Sequence, residues 1–198
     1  LTTFQHHFFD IPSGAAVGLL CVWLWPDGQS SPLTERVQGN WSRRFRLATC
    51  YVVAALAMAL TAVTIGGWAL WLCWGALALI IVAAIYLGPG APGFQKHNGR
   101  RSLAARWLLA PYFIGAWLNS RWWTRRQPES NEVIDGVWLG RIPPRTELAS
   151  GRFLSVLDLT AEMAGPVGRW HYEGLPWLDL IPPSLEQLRV AAERIEAM

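Results

Sequence analysis

Two side chains near the start of the chain combine an imidazole and a carboxylate at a spacing of about one helical turn. His6 and Asp10 stand four residues apart in the segment HHFFD. Residues four apart lie on the same face of a helix, so the Asp10 carboxylate can accept a hydrogen bond from one imidazole nitrogen of His6. That bond would fix the imidazole tautomer. His7 points elsewhere, and the alternative is that both histidines only help to end a helix at a membrane surface.

A further candidate catalytic residue is Asp179, which follows the apolar run LPWL near the other end of the chain. In open α/β sheets the chemistry takes place outside the carboxyl ends of the strands, which is where this run would end. The alternative is a carboxylate that caps the turn before Pro182 and Pro183. Asp158 falls in the middle of a predicted strand, and we expect a structural role for it.

Long apolar blocks must position the first of these candidates. Leu47 to Ile65 gives nineteen uncharged residues, and Trp68 to Gly88 gives twenty-one. At about 1.5 Å per residue, each covers the roughly 30 Å hydrocarbon core of a bilayer. They predict two spanning helices joined by a tight turn at GGW. The shorter block Ile11 to Trp25 is predicted as a third span.

Charge divides the chain into two unlike parts. Residues 1–128 carry eleven basic and three acidic side chains, a net charge of +8, whereas residues 129–198 carry six and eleven, a net charge of −5. Arginines that flank spans indicate cytoplasmic loops and anionic lipid rather than nucleic acid. The Arg-rich loop 27–46 is therefore predicted to be cytoplasmic, and residues 1–10 are predicted to lie on the outer face.

A region rich in Trp and Arg follows the apolar blocks. Its uncharged stretch, Trp107 to Asn119, is thirteen residues, about 20 Å as a helix, and contains Pro111. It is short for a crossing and predicts a helix in the membrane interface. A fourth crossing, with the tail outside, is the alternative. The basic side chains predicted to contact lipid phosphates are Arg106, Arg121, Arg125 and Arg126.

The tail, from Asn131 onward, has the pattern of a soluble α/β domain. Asp135-Gly136 between apolar residues predicts a hairpin, and Phe153 to Leu159 predicts a strand buried in a parallel sheet. Ser184 and Gln187 have capping-box spacing at the start of a helix. The order strand, connection, strand, helix is typical of a doubly wound sheet. The predicted apolar stripe of the helix consists of Leu185, Leu188, Ala192 and Ile195.

Cysteine usage indicates neither disulfides nor a metal site, because Cys21, Cys50 and Cys73 all lie inside apolar segments. We expect no cofactor. The chain opens on Leu1 and stops at Met198 in the middle of a helical pattern, which predicts a fragment cut at both ends.

Two segments resemble known families. Residues 1–26 resemble the end of the type 2 phosphatidic acid phosphatase superfamily, whose third motif is Ser-Arg, five residues, His, three residues and Asp. LTTFQ, His6, HFF and Asp10 match that motif, and the Ser-Arg pair would precede Leu1. Residues 131–198 resemble the first half of a dual-specificity protein phosphatase through GVWLGRIP, FLSVLDLTAE and YEGLPWLDLIPPSLEQL. The combination is similar to bacterial inner-membrane proteins that fuse these two domains.

This resemblance implies a fold, an activity and roles for three residues. The implied fold is an α-helical polytopic membrane segment followed by a partial α/β domain. The implied activity is hydrolysis of a phosphoric monoester or lipid pyrophosphate, with His6 as nucleophile on the outer face, Asp10 as its partner and Asp179 as the acid of the tail. The family's second nucleophile is a Cys in His-Cys-x5-Arg. No Cys follows Cys73, so we expect that loop beyond Met198 and no turnover by this tail alone.

Implied partners are a phospholipid or polyprenyl phosphate substrate, a phosphoprotein substrate and membrane lipid. The implied location is the bacterial inner membrane, with residues 1–10 periplasmic and the tail cytoplasmic. The competing hypothesis is a non-catalytic anchor whose phosphatase-like module binds a phosphorylated partner. A transporter subunit is disfavoured, because the spans beyond Asp10 lack ionisable side chains. The predicted regions are the last helix of the lipid-phosphatase-like domain (1–26), the basic loop (27–46), the two-helix hairpin (47–88), the turn and interfacial helix (89–128) and the half phosphatase domain (129–198).

Overall fold

A computed structural model describes residues 10–27, 31–34, 41–127, 130–143, 151–166 and 170–198. The chain divides into two compact units, Leu1–Gln95 with Ser102–Tyr112, and Lys96–Arg101 with Phe113–Met198. The described α-helices are α1 (Asp10–Leu24), α2 (Trp41–Ile65), α3 (Leu72–Leu87), α4 (Leu103–Leu108), α5 (Ala110–Trp123) and α6 (Leu185–Glu196). The described strands are β1 (Lys96–His97), β2 (Arg100–Arg101), β3 (Ser130–Ile134), β4 (Val137–Gly140), β5 (Ser155–Thr160) and β6 (His171–Trp177).

A helical hairpin, α2 and α3, dominates the first unit. Gly66 and Gly67 form its turn with φ values of 67° and 56°, which residues with a Cβ rarely adopt. A 3₁₀ turn, Gly67–Trp71, then leads into α3. Two segments of this hairpin, Trp41–Ile65 and Gly67–Leu87, are long and apolar enough to cross a membrane. α2 begins six residues before the predicted span, so the end of the predicted basic loop is helical.

Small side chains line the buried side of α2. Ala48, Ala55 and Ala62 recur every seven residues and are at most 2% exposed. Small residues let two helix backbones approach closely, the usual arrangement of helices in lipid. On the other side of α2, large apolar side chains are more than half exposed, namely Val53, Leu56, Leu60 and Val63.

Within the described residues, α1 is shorter than the predicted third span. Its described part has 15 residues, about 22 Å of helix, against the roughly 30 Å hydrocarbon core. Protein contacts hold its end, where Trp23 is buried. The indole of Trp23 donates to the Gly93 carbonyl at 2.9 Å, and the Gln95 side-chain amide donates to the Trp23 carbonyl at 2.7 Å.

The predicted interfacial helix is broken into α4 and α5, with Leu109 between them. Pro111 has no N–H, so it cannot donate to the carbonyl of Trp107 as a continuous helix would require. That carbonyl instead accepts a hydrogen bond from the Trp74 indole at 3.0 Å. Ser102 caps α4 by accepting from the Ala105 N–H at 3.0 Å.

Three separate two-stranded sheets occur among the described residues of the second unit. β1 and β2 are antiparallel. β3 and β4 form the hairpin predicted at Asp135-Gly136, with Gly136 at a φ of 78°. β5 and β6 are parallel, and Asp158 lies opposite Gly174.

The capping box of α6 is confirmed, because the Gln187 N–H donates to the Ser184 hydroxyl and the Ser184 N–H donates to the Gln187 side chain. Its predicted apolar stripe is exposed within the described chain, and Ala191 is the buried position.

The predicted fold class, a polytopic membrane segment followed by a partial doubly wound domain, is therefore wrong. The described residues contain two candidate spans, a shorter apolar helix and three small sheets, which make a mixed fold of helices and sheets. Local sequence patterns correctly predicted the α2–α3 hairpin, the β3–β4 turn and the start of α6. The number of candidate membrane spans depends on the length of each helix. The size of each sheet depends on pairing between segments that are distant in the sequence.

Candidate functional site

The first candidate pair is only partly described. His6, like His7, lies outside the described residues. Asp10 is the first residue of α1 and is exposed. A carboxylate in the first turn of a helix interacts favourably with the partial positive charge of the helix N-terminus. The predicted contact between His6 and Asp10 stays a prediction.

Asp179 lies in an exposed turn at the carboxyl end of the parallel pair β5–β6. The strand β6 ends at Trp177, and Leu178 is buried. One carboxylate oxygen of Asp179 accepts from the Leu180 N–H at 2.9 Å, and Leu180 has a positive φ of 61°. The side chain therefore stabilises its own turn, as the capping alternative expects, and it also stands at the sheet edge where the catalytic alternative expects it.

A buried polar cluster lies immediately inside this sheet edge, and Asp158 is its centre. One carboxylate oxygen accepts from the Lys96 ammonium at 2.7 Å and from the Tyr172 hydroxyl at 2.9 Å. The other accepts from the N–H and the hydroxyl of Thr160, both at 2.9 Å. The side chains of Lys96 and Asp158 are each 4% exposed. Every oxygen of the carboxylate is thus bonded within the protein, which suits the structural role predicted for Asp158.

Lys96 also fixes the end of β5. Its ammonium donates to the Thr160 carbonyl at 2.6 Å, and Thr160 lies opposite Trp177 in the register of β5 and β6. Burial lowers the pKa of Lys96, while the hydrogen bond and the charge of Asp158 oppose that shift. Burial, together with the charge of Asp158 and its hydrogen bond, raises the pKa of Tyr172. The Lys96 side-chain nitrogen and the Tyr172 hydroxyl thus both donate to one oxygen of the Asp158 carboxylate.

Arg101 extends this cluster. Its guanidinium donates to the Glu162 carbonyl and lies 3.5 Å from the ring centroid of Phe113. Burial lowers the pKa of Arg101 to about 10, against the opposing charges of Glu162 and Asp158. The positive charges of Lys96 and Arg101 offset the negative charges of Asp158 and Glu162, so the cluster holds the chain together rather than offering an anion site.

Sequence reasoning missed the β1–β2 hairpin, which positions Lys96 and Arg101 in this cluster. The available signal was Asn98-Gly99, the dipeptide most typical of tight hairpins. Both residues have positive φ values, 47° and 74°. The Gly165 N–H donates to the Gly99 carbonyl at 2.9 Å, and a Cβ added to Gly165 would lie 2.6 Å from the Tyr172 hydroxyl oxygen. Close packing at this point therefore requires glycine.

The four arginines predicted to contact lipid differ in their surroundings. Arg125 stacks on Trp122, with its guanidinium carbon 3.8 Å from the ring centroid, and Arg121 lies 5.7 Å from the Trp117 centroid. Arg106 belongs to the separate helix α4, and Arg126 follows in the turn after α5.

Comparisons with known proteins give no match to a family model, to a curated protein or to a solved structure. Within the parts of the chain that the structure describes, no group of three His, Cys, Asp or Glu side chains could hold a metal ion.

Proposed function

We propose that this chain is part of a membrane-bound phosphatase. Its substrates are a phospholipid or polyprenyl phosphate for the membrane half and a phosphoprotein or phospholipid for the tail. The observation that carries the proposal is the position of Asp179, an exposed carboxylate just beyond β6 at the carboxyl end of a parallel strand pair. A carboxylic acid in that place can protonate the oxygen that leaves phosphorus.

The α2–α3 hairpin supports attachment to a membrane, which we propose to be a bacterial inner membrane. Basic residues stand at both ends of the hairpin, with Arg43 and Arg46 in the first turns of α2 and Lys96 soon after α3. By the positive-inside rule both ends face the cytoplasm, and the tail is cytoplasmic. The outer-face location expected for residues 1–10 requires a further membrane crossing through α1 and stays a prediction.

The acid role is tested by Asp179→Asn in the full-length gene product, with Asp135→Asn as the matched control. Asp135 is an exposed carboxylate in the β3–β4 turn. We expect Asp179→Asn to lower kcat on an aryl phosphate or a phosphopeptide by about 10²- to 10⁴-fold, because a general acid contributes on that order. Equal rates for the two variants would exclude Asp179 as the acid.

The nucleophile is tested separately by His6→Ala against His7→Ala. We expect His6→Ala to abolish turnover of a lipid phosphate, because the imidazole would form the bond to phosphorus, and His7→Ala to retain it. Full activity in His6→Ala would remove His6 from the mechanism. A folded natural protein that turns over none of these substrates would favour the non-catalytic anchor.

A further inference from the structure

The outward side of α5 carries an apolar surface that the second unit leaves uncovered. Phe113, on the inward side of the helix, is 7% exposed. A surface helix of a water-soluble protein places polar residues outward, whereas large apolar side chains occupy that side here. A contiguous exposed apolar surface marks an interaction site. We call this surface the outer face of α5. It consists of Ile114, Trp117, Leu118 and Trp122, whose side chains are 60%, 51%, 55% and 65% exposed.

Two arginines lie beside the indole rings of this face. Half-buried Arg121 lies 5.7 Å from the Trp117 ring centroid and also donates to the Ile142 carbonyl at 3.4 Å. Exposed Arg125, in the turn after α5, stacks on Trp122 at 3.8 Å. A guanidinium on an indole ring is attracted by the π electrons, which holds the cation at the level of the ring. Indole rings settle at the headgroup level of a bilayer, and arginine heads reach toward phosphates. The outer face of α5 thus presents large apolar side chains, with arginines beside two of its indole rings.

The charge of this segment and the length of α5 together indicate what the outer face contacts. No Asp or Glu occurs in residues 103–127, so acidic neighbours in this segment do not offset the arginines. α5 has 14 residues, about 21 Å, which is too short to cross a bilayer. We propose that the outer face of α5 docks on the headgroup region of an anionic phospholipid membrane, with the helix axis in the membrane plane. This interaction does not depend on the proposed phosphatase activity.

In this proposal, lipid contact is assigned to two of the four arginines predicted for it, Arg121 and Arg125, because these lie beside indole rings. Arg125 and Arg126 are adjacent and exposed in the turn after α5, and of these two Arg125 stacks on Trp122. Arg125→Gln and Arg126→Gln therefore remove the same charge from adjacent positions, and Arg126→Gln is the matched control.

The experiment uses the full chain in liposomes of phosphatidylcholine, with or without phosphatidylglycerol. In a variant whose three native cysteines are replaced, Leu118→Cys carries an environment-sensitive fluorophore, and Asn119→Cys carries it as the comparison. We expect the label at 118 to enter an apolar environment and to be quenched by lipid-borne quenchers when phosphatidylglycerol is present, while the label at 119 stays in water. Arg125→Gln should lower the ratio of membrane-seated to water-exposed label about fivefold, since one cation near an anionic surface contributes on that order. Arg126→Gln should leave the ratio unchanged.

Three outcomes would overturn the proposal. The label at 118 could stay in water in every liposome. It could be shielded equally in detergent and in neutral lipid, which would indicate that protein covers the face. Alternatively, Arg125→Gln and Arg126→Gln could have equal effects, which would show that total charge matters and stacking does not.

Discussion

The apolar run of α2 and the β5–β6 sheet bury different kinds of side chain. Beyond Arg44, which is buried near the start of α2, the buried side of the helix consists of Ala48, Ala55 and Ala62. The sheet instead buries an ionic pair, Lys96 and Asp158, with Tyr172. The hairpin turns its large apolar side chains outward, while the sheet unit keeps a charged surface pair, Arg189 and Glu193, in solvent.

The surroundings that we propose for each region account for this difference. Between helices in lipid, where we propose that the hairpin lies, there is no hydrophobic driving force, so close packing of small side chains provides the attraction. In a small water-exposed unit with few apolar residues to bury, a fully bonded polar network specifies which segments pair. We therefore expect substitutions on the outer side of α2 to have little effect on stability. Substitutions of the buried Lys96 and Asp158 should be strongly destabilising.

The largest expected effect tests the centre of the sheet. Lys96→Met leaves the Asp158 carboxylate buried without its cation, and we expect a loss of about 3–5 kcal/mol in the free energy of unfolding of the sheet unit. Hydrogen exchange of the β5 amides in the full chain measures this loss. Arg189→Met, which breaks the exposed pair, should change it by no more than about 1 kcal/mol.

Replacing both partners, as in Lys96→Met with Asp158→Leu, should recover much of that loss, because no unpaired charge then stays buried. A single variant Lys96→Met as stable as the wild type would show that the ion pair does not hold β1 to β5.

A smaller effect is expected in the hairpin. Ala55→Leu inserts a large side chain at a position that is 2% exposed, and overpacking of this kind costs about 1–3 kcal/mol. Unfolding of the reconstituted protein by sodium dodecyl sulfate measures it. The adjacent change Leu56→Ala, on the outer side, should have little effect. If the two variants reverse this order, the packing assigned to α2 is wrong.

The smallest effect is a pH dependence centred on Tyr172. Its pKa is raised above the ordinary value of 10.0, so the folded protein keeps a proton that the unfolded chain releases. The stability contributed by Tyr172 is therefore complete below about pH 10, where the tyrosine of the unfolded chain is also protonated. Above that pH it falls by about 1.4 kcal/mol per pH unit.

Thermal unfolding of the wild type and of Tyr172→Phe between pH 9 and pH 11 measures this dependence. The wild type should lose Tm relative to the variant as pH rises. Lys96 and Arg101, whose pKa values burial lowers, act in the opposite sense in both proteins. Parallel curves would show that Tyr172 ionises equally in both states.

Short-range patterns predicted much of the local structure. Uncharged runs near the length of a bilayer located the hairpin, Asp135-Gly136 located the turn between β3 and β4, and Ser184 with Gln187 located the start of α6. Each signal lies within one continuous stretch of the chain, so local composition and backbone geometry decide it. The position of Asp179 just beyond a strand was predictable for the same reason.

Only the tertiary structure decided how distant segments pair. Lys96 and Asp158 are 62 residues apart, and nothing in the local pattern of either residue indicates the other. The break at Leu109 depended on the Trp74 indole as well as on Pro111. The sequence by itself thus determined where helices and turns begin, because those depend on neighbouring residues. The choice of buried partners depended on contacts that form only when the chain folds.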